Sequence, residues 1–176
     1  MAQQYTEALV NRFLRYVAIP SESVPKAKTI PSSEGQWKVA QLVAEELKAL
    51  GLQDVDVDEH ACVTAYLPGN VEGVPVVGFS AHMDTVPTGL SDEVHPQVVH
   101  YEGGDVCLNA EKDLWIRVAE HPELNDYVGQ DIVFTDGTSV LGADNKAGLA
   151  NIMQSTVHAA IFRLFFLAYL IALKFL

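Results

Sequence analysis

Two residues that can do metal or acid–base chemistry, His82 and Asp84, follow a short apolar run at positions 76–81. The run predicts a buried strand, and open α/β sheets bind ligands at the C-terminal ends of their strands. Residues two apart on an extended chain point to the same side. The imidazole and the carboxylate can therefore form a metal ligand and its supporting group. The alternative, which the short motif alone favours, is a surface histidine and aspartate at a strand-to-loop junction.

A second candidate, Asp144, lies in the segment 141–148, where a glycine precedes an acidic residue and a helix. The helix is predicted because Ala150, Met153 and Val157 share one face. A carboxylate at the start of a helix is stabilised by the helix dipole. Taken alone, the segment therefore predicts an aspartate that caps a helix.

Two amphipathic helices are predicted near the start of the chain. The first runs from Thr6 to Ile19 and is ended by Pro20. The second opens at Ser33, where Gln36 three residues later completes a capping box, and it ends at Gly51. The loop between the two helices is rich in serine, lysine and proline.

Strand-like runs at 55–58, 61–67 and 74–81 follow the helices, and the third, being the most apolar, is expected to be the most central. Two helices followed by strands predict an α/β fold. The segment 87–126 is rich in Pro, Gly, His and acidic residues, and it predicts a functional or mobile loop with short strands. One more strand is predicted at 131–135.

The composition limits the class of protein. A net charge of −12 and a pI of about 4.7 disfavour nucleic acid and anionic membranes as partners. No signal peptide is recognised, and the two cysteines match neither a disulfide framework nor a metal spacing, so a cytoplasmic location is expected. The remaining histidines have no ligand spacing and are interpreted as surface or loop residues: His60, His95, His100, His121 and His158.

The candidate segments resemble the metal motifs of the co-catalytic di-zinc peptidase family at 78–85, 135–138 and 141–148. Three further segments are similar to the tripeptide-aminopeptidase branch of that family, the peptidase T type, at 31–37, 95–99 and 101–105. The resemblance is colinear from about residue 6 to about residue 153. The motifs alone indicate the broad family, and the other segments narrow it to this branch.

The resemblance implies an α/β zinc-exopeptidase catalytic domain with a central mixed sheet, flanking helices and two zinc ions. By this resemblance His82 is a ligand to one zinc, Asp144 bridges both, and Asp84 is a catalytic-site carboxylate that holds a ligand in place. In the family, a water between the metal ions attacks the scissile carbonyl of a short peptide, and a later glutamate acts as general base. Asn145 departs from the pattern, since family members often have an acidic residue there.

The similarity stops near Met153, which divides the sequence into an N-terminal part of a catalytic domain at 1–153 and an apolar tail at 154–176. We consider three interpretations of the tail, and favour the first. It is a frameshifted or prematurely ended reading frame, a membrane anchor, or a helix that covers an exposed sheet face. Only ten apolar residues lie between Arg163 and Lys174, which is short for a membrane span.

The expected function is that of a zinc-dependent tripeptide aminopeptidase, with short peptides as substrates and a truncated, inactive catalytic domain in this chain. The family's general base, its other zinc ligands and its dimerisation domain lie beyond the similarity, and no Asp or Glu follows Asp144. One alternative is a non-catalytic fragment that binds metal or docks on full-length enzyme, within a family whose full-length members can form homodimers. Another is amino-acid deacylation within the same family.

Overall fold

The structure, a computed structural model, describes residues 2–69, 72–162 and 169–173, and within these ranges the chain forms three α-helices, eight strands and one short 3₁₀ helix. Residues 1–87 and 142–176 form one unit, and residues 88–141 form a second. In chain order the elements are α1 (Ala2–Val17), α2 (Glu34–Ala49), β1 (Gln53–Val57), β2 (Val63–Leu67), β3 (Val77–Phe79), β4 (Pro96–Tyr101), β5 (Val106–Asn109), β6 (Leu114–Ile116), the 3₁₀ helix (Pro122–Tyr127), β7 (Gln130–Thr135), α3 (Ala143–Phe162) and β8 (Tyr169–Leu173).

The second helix forms as its sequence predicts. Ser33 is its N-cap, and the Gln36 half of the predicted capping box is present, with the Gln36 side-chain oxygen accepting from the Ser33 backbone N–H at 3.4 Å. Gly51 follows the helix with a positive φ of 78°, the conformation that glycine adopts at a helix end without steric cost. Its apolar residues recur every three or four positions and form one buried stripe: Val39, Ala40, Val43, Ala44 and Leu47.

The first unit contains a four-stranded mixed sheet in the order β1-β2-β8-β3. β1 is antiparallel to β2, β2 is antiparallel to β8, and β8 is parallel to β3. A mixed sheet with helices is the predicted α/β class, which is therefore confirmed.

β3, the strand that leads to the candidate site, is shorter and less buried than predicted. It lies at the end of the described sheet, so the expectation that it is the most central strand is wrong. Val76 is 58% exposed and Phe79 is 44% exposed. Apolar composition indicates that a segment forms a strand, but it does not determine which neighbours cover that strand.

The core of the first unit lies where helices and strands pack together. β2 contributes Val63 and Ala65, which alternate with less buried residues as expected for a strand covered on one face. Met83, directly beside the candidate site, is fully buried in the same cluster. The other fully buried members are Tyr16 of α1, Val39, Ala40, Val43 and Leu47 of α2, Ala61, and Leu149, Ala150 and Met153 of α3.

The described residues of the segment predicted as an apolar tail belong to a helix and a strand of the first unit. α3 runs through position 153 to Phe162, and residues 169–173 form β8 between β2 and β3. One interpretation of the tail is a helix that covers the sheet. The structure instead gives residues 169–173 as a strand within the sheet, because their backbone pairs with both neighbouring strands. Among the described residues, no helix has the length and apolar character needed to cross a membrane.

The second unit consists of two antiparallel strand pairs and the 3₁₀ helix. β4 pairs with β7, and β5 pairs with β6. A small core forms around Tyr101, Val106 and Leu124. The predictions of short strands within 87–126 and of a strand at 131–135 are confirmed.

A network of polar side chains joins α1 to α2. The buried hydroxyl of Tyr16 donates a hydrogen bond to the Glu46 carboxylate at 2.7 Å, and Arg12 and Arg15 form ion pairs with the same carboxylate. Burial raises the pKa of the Tyr16 phenol, and the negative charge of Glu46 raises it further. The folded state therefore holds the phenolic proton more tightly than the unfolded state.

We expect this network to make folding stability depend on alkaline pH. A raised pKa in the folded state gives stability that is fully present below the unfolded pKa of about 10 and is lost as the pH rises above it. Relative to Tyr16→Phe, the free energy of unfolding of the wild type should fall by about 1.4 kcal/mol per pH unit above about pH 10. Urea denaturation of both proteins between neutral pH and about pH 11 measures the difference, and parallel pH profiles would contradict it.

Candidate functional site

His82 and Asp84 lie just beyond β3, where burial alternates from one residue to the next. Ala81 and Met83 are buried in the core, so His82 and Asp84 point to the opposite side. The Nδ1 atom of His82 lies 3.1 Å from Oδ1 of Asp84 and 3.0 Å from its backbone oxygen. The predicted pairing of the two side chains is present.

Asp144 contacts Nε2, the second ring nitrogen of His82. Its Oδ1 lies 3.0 Å from Nε2 of His82, although the two residues are 62 positions apart. The Asp144 side chain is 95% exposed, whereas that of Asp84 is only 13% exposed. The structure therefore brings all three predicted site residues together, with the partly buried carboxylate of Asp84 at Nδ1 of the ring and the exposed carboxylate of Asp144 at Nε2.

The backbone at Asp144 is not helical, although the residue lies at the start of α3. Asp144 has φ −88° and ψ 103°, Asn145 has φ −119° and ψ 28°, and the peptide bond between them is cis. Regular helical geometry therefore begins only after Asn145. This places the carboxylate of Asp144 in front of the helix and next to His82.

Gly142 allows the segment before Asp144 to approach the strand end. Its φ is +70°, and a Cβ atom at this position would lie 2.7 Å from Cγ2 of Thr85. Both the backbone conformation and the available space therefore favour glycine. Thr85 directly follows Asp84, so this close approach holds the two halves of the candidate site together.

Replacing Gly142 with alanine is expected to destabilise the protein by about 1–3 kcal/mol, because the new methyl group combines a strained φ with a contact that is too short. Urea denaturation checks this value. Gly104→Ala is a matched control, since Gly104 has a similar φ of +78° but a Cβ atom there would meet no neighbouring atom within 4 Å. An equal loss of stability in both variants would show that the contact with Thr85 is unimportant.

A serine-containing loop supports the strand end. The Ser23 backbone N–H donates to the Thr85 carbonyl at 3.0 Å, and the Thr85 N–H donates to the Ser21 carbonyl at 3.1 Å. The buried Ser21 hydroxyl donates to the Met83 carbonyl at 2.8 Å. The Ser23 hydroxyl donates to Oδ2 of Asp84 at 2.6 Å. The sequence interpretation treated this loop only as a connection, since a Ser-rich segment gives no signal of such distant contacts.

Lys146 places a buried amine beside the site. It is 1% exposed, and its Nζ donates to the Ile19 carbonyl at 2.7 Å. Burial lowers the pKa of Lys146 to about 8, and the negative charge of Asp84 opposes this shift. The Lys146 ammonium group therefore interacts electrostatically with Asp84, and the sequence interpretation did not assign it a role.

The donor types at the site fit zinc in part. Imidazole nitrogen and carboxylate oxygen are both common zinc ligands, and a carboxylate hydrogen-bonded to the other ring nitrogen is the usual support of a histidine ligand. Nε2 of His82 and Oδ1 of Asp144 lie 3.0 Å apart, while Asp84 contacts the other ring nitrogen. No cluster of three or more His, Cys, Asp or Glu residues suited to a metal occurs in the described part of the chain.

Histidines of the second unit pair with nearby carboxylates. His100 lies 2.7 Å from Asp131 across the β4–β7 pair, and His121 lies 3.1 Å from Glu123. These side chains are more than half exposed. Their exposure agrees with the prediction that they are surface or loop residues, whereas their carboxylate partners were not predicted.

Two curated relatives match the region that contains the site. A peptidase T-like protein of Yersinia pestis is 54% identical over 148 residues, which cover 84% of this chain and 36% of the relative. Peptidase T of Geobacillus thermodenitrificans is 45% identical over 151 residues, which cover 85% of this chain and 37% of the relative. Over these residues the chain is similar to peptidase T. It spans little more than a third of the length of these peptidase T proteins, and no protein-family model matches it.

Two crystal structures share the fold. Aminopeptidase PepT from Bacillus cereus matches with a TM-score of 0.62 at 22% identity, and a tripeptidase from Staphylococcus aureus with 0.61 at 23% identity. Each match covers 96% of this chain and 36% of the other protein. These matches confirm the α/β fold class, and the sequence matches confirm the resemblance to peptidase T.

Proposed function

We propose that this chain carries part of the metal centre of a zinc-dependent aminopeptidase that releases the N-terminal residue of tripeptides. The observation that carries the proposal is the position of His82 between two carboxylates, Asp84 at Nδ1 and Asp144 at Nε2. The names of the similar proteins, peptidase T, aminopeptidase and tripeptidase, support the reaction and the substrate class.

Each site residue has a distinct role in this proposal. A pair of zinc ions would supply a water nucleophile near neutral pH and would polarise the scissile carbonyl. His82 would hold one zinc through Nε2, and the exposed carboxylate of Asp144 would bridge both. Asp84 accepts the Nδ1 proton of His82, which keeps the Nε2 lone pair directed into the site.

The described residues supply fewer donors than a catalytic zinc centre usually has. Catalytic zinc sites usually have three protein ligands, whereas His82 and Asp144 supply two donors to the first zinc and one to the second. The second candidate function is a non-catalytic metal-binding protein that docks on the enzyme, and it is supported by the absence of a cluster of three or more potential ligands from the described residues.

The location and the partners of the protein are proposed from its cysteines, its net charge and the resemblance. We infer a cytoplasmic location, and Cys62 and Cys107 are both present as thiols, which suits a reducing compartment. Nucleic acid and membranes are not proposed as partners, because the net charge is −12. Homodimer formation is proposed only for the full-length relatives.

Isothermal titration with zinc and a tripeptide hydrolysis assay test the two candidates separately. Zinc binding together with peptide release, both lost in His82→Ala, would support the aminopeptidase. Zinc binding without peptide release would support the non-catalytic metal-binding protein. Absence of zinc binding in the folded chain would contradict both candidates.

A further inference from the structure

A chain of hydrogen bonds reaches His82 from the loop between α1 and α2. The two carboxylate oxygens of Asp84 have different partners, since Oδ1 faces Nδ1 of His82 at 3.1 Å and Oδ2 accepts from the Ser23 hydroxyl at 2.6 Å. With both oxygens engaged, rotation of the carboxylate would break one of these contacts. Ser23 therefore restrains the group that orients the histidine.

The direction of the Ser23 hydroxyl is itself determined by Gln36. The Gln36 amide nitrogen donates to the Ser23 oxygen at 3.2 Å, and the Gln36 amide oxygen accepts from the Ser32 backbone N–H at 2.8 Å. A serine hydroxyl has one proton to donate. Because its oxygen already accepts from Gln36, that proton is available for Asp84.

Burial indicates that these contacts are specific. Gln36 is 2% exposed within α2, and its amide is oriented by a backbone donor rather than by solvent. Ser23 is also fixed through its backbone N–H, which donates to the Thr85 carbonyl at 3.0 Å. Ser23 is thus held on two sides, and its third contact is the carboxylate.

We propose that Ser23 is a positioning residue that acts through Asp84 on His82, and that Gln36 sets the direction of its hydroxyl. This inference rests on the proposed function, in which His82 is a metal ligand. The effect of Ser23 on the His82 imidazole, however, does not require a bound metal. The Asp84 carboxylate, held by Ser23, adds to the Asp84 backbone oxygen in favouring the tautomer with the proton on Nδ1, whereas the solvated Asp144 competes weakly for the proton on Nε2.

The test compares Ser23→Ala with Ser23→Thr, which keeps a hydroxyl. Ser155→Ala, at an exposed position on α3, is the control. The first measurement is the ¹⁵N NMR shifts of the His82 ring nitrogens in the metal-free, ¹⁵N-histidine-labelled full chain, with His82→Ala used for assignment. It is made at about pH 8.5, about two units above the reference value for a free imidazole.

The wild type, Ser23→Thr and Ser155→Ala should have the proton on Nδ1, and Ser23→Ala should show a mixture of tautomers. The second measurement is zinc affinity, which Ser23→Ala should lower about three- to tenfold, at or below the range for groups that contact a ligand directly. Wild-type shifts in a folded Ser23→Ala, or equal shifts in Ser23→Thr and Ser23→Ala, would overturn the proposal. Loss of zinc binding in every protein, including the wild type, would instead contradict the proposed function while the NMR result still decides the role of Ser23.

Discussion

Replacing His82 with alanine is expected to lower the zinc affinity of the chain more than about 100-fold. Changes to groups that merely support a ligand cost about 10- to 100-fold in metal affinity, and removing the ligand itself should cost more. The imidazole is the nitrogen donor at the site, and it lies between Asp84 and Asp144. Without it the two carboxylates lose the group that joins them. Titration calorimetry, or competition with a chromophoric chelator, measures the change.

The chain offers a matched control in His100. Its Nδ1 lies 2.7 Å from the Asp131 carboxylate, so it shares the histidine–aspartate pairing of His82 and Asp84. Among the residues that the structure describes, no second carboxylate pairs with His100 as Asp144 pairs with His82, and both His100 and Asp131 are more than half exposed. His100→Ala should therefore leave zinc affinity unchanged. A comparable loss in the two variants would show that zinc binds histidines on this chain nonspecifically.

The pairing of His82 with Asp84 could be predicted from sequence because it is local. Strand periodicity alone places residues two apart on the same side. The same rule could not reveal Asp144, because its contact with Nε2 depends on the positive φ of Gly142 and on the non-helical backbone at Asn145. For Asp144, the resemblance to a family supplied what periodicity could not.

The supporting residues could not be predicted for a related reason. Ser23 contacts Asp84 across 61 positions, and Lys146 contacts Ile19 across 127. Hydrogen bonds of this kind depend on how elements pack, whereas sequence patterns report only local geometry. The position of β3 at the end of the described sheet could not be predicted for the same reason, because strand order depends on which strands pair with each other.

The approach of the loop to α2 makes Gly35 the position where a single methyl group should cost the most stability. A Cβ atom on Gly35 would lie 1.5 Å from the Pro20 carbonyl oxygen and 2.6 Å from its carbon. These are backbone atoms, so relief requires the loop to move away from the helix. Alanine would otherwise favour the helix by up to about 1 kcal/mol. We expect Gly35→Ala to lower the free energy of unfolding by about 3 kcal/mol or more, at the upper end for overpacking.

Gly148→Ala separates this effect from an ordinary glycine-to-alanine change in a helix. There the new Cβ would lie 2.0 Å from Oδ1 of Asn145, which belongs to a side chain that can rotate away. Urea denaturation should therefore show a much smaller loss for Gly148→Ala than for Gly35→Ala. Because Ser21 directly follows Pro20 and holds the Met83 carbonyl, Gly35→Ala should also weaken zinc binding at His82. Equal stability of the two variants would mean that the loop moves freely on α2, and its hydrogen bonds to the strand end could then not hold Asp84 in place.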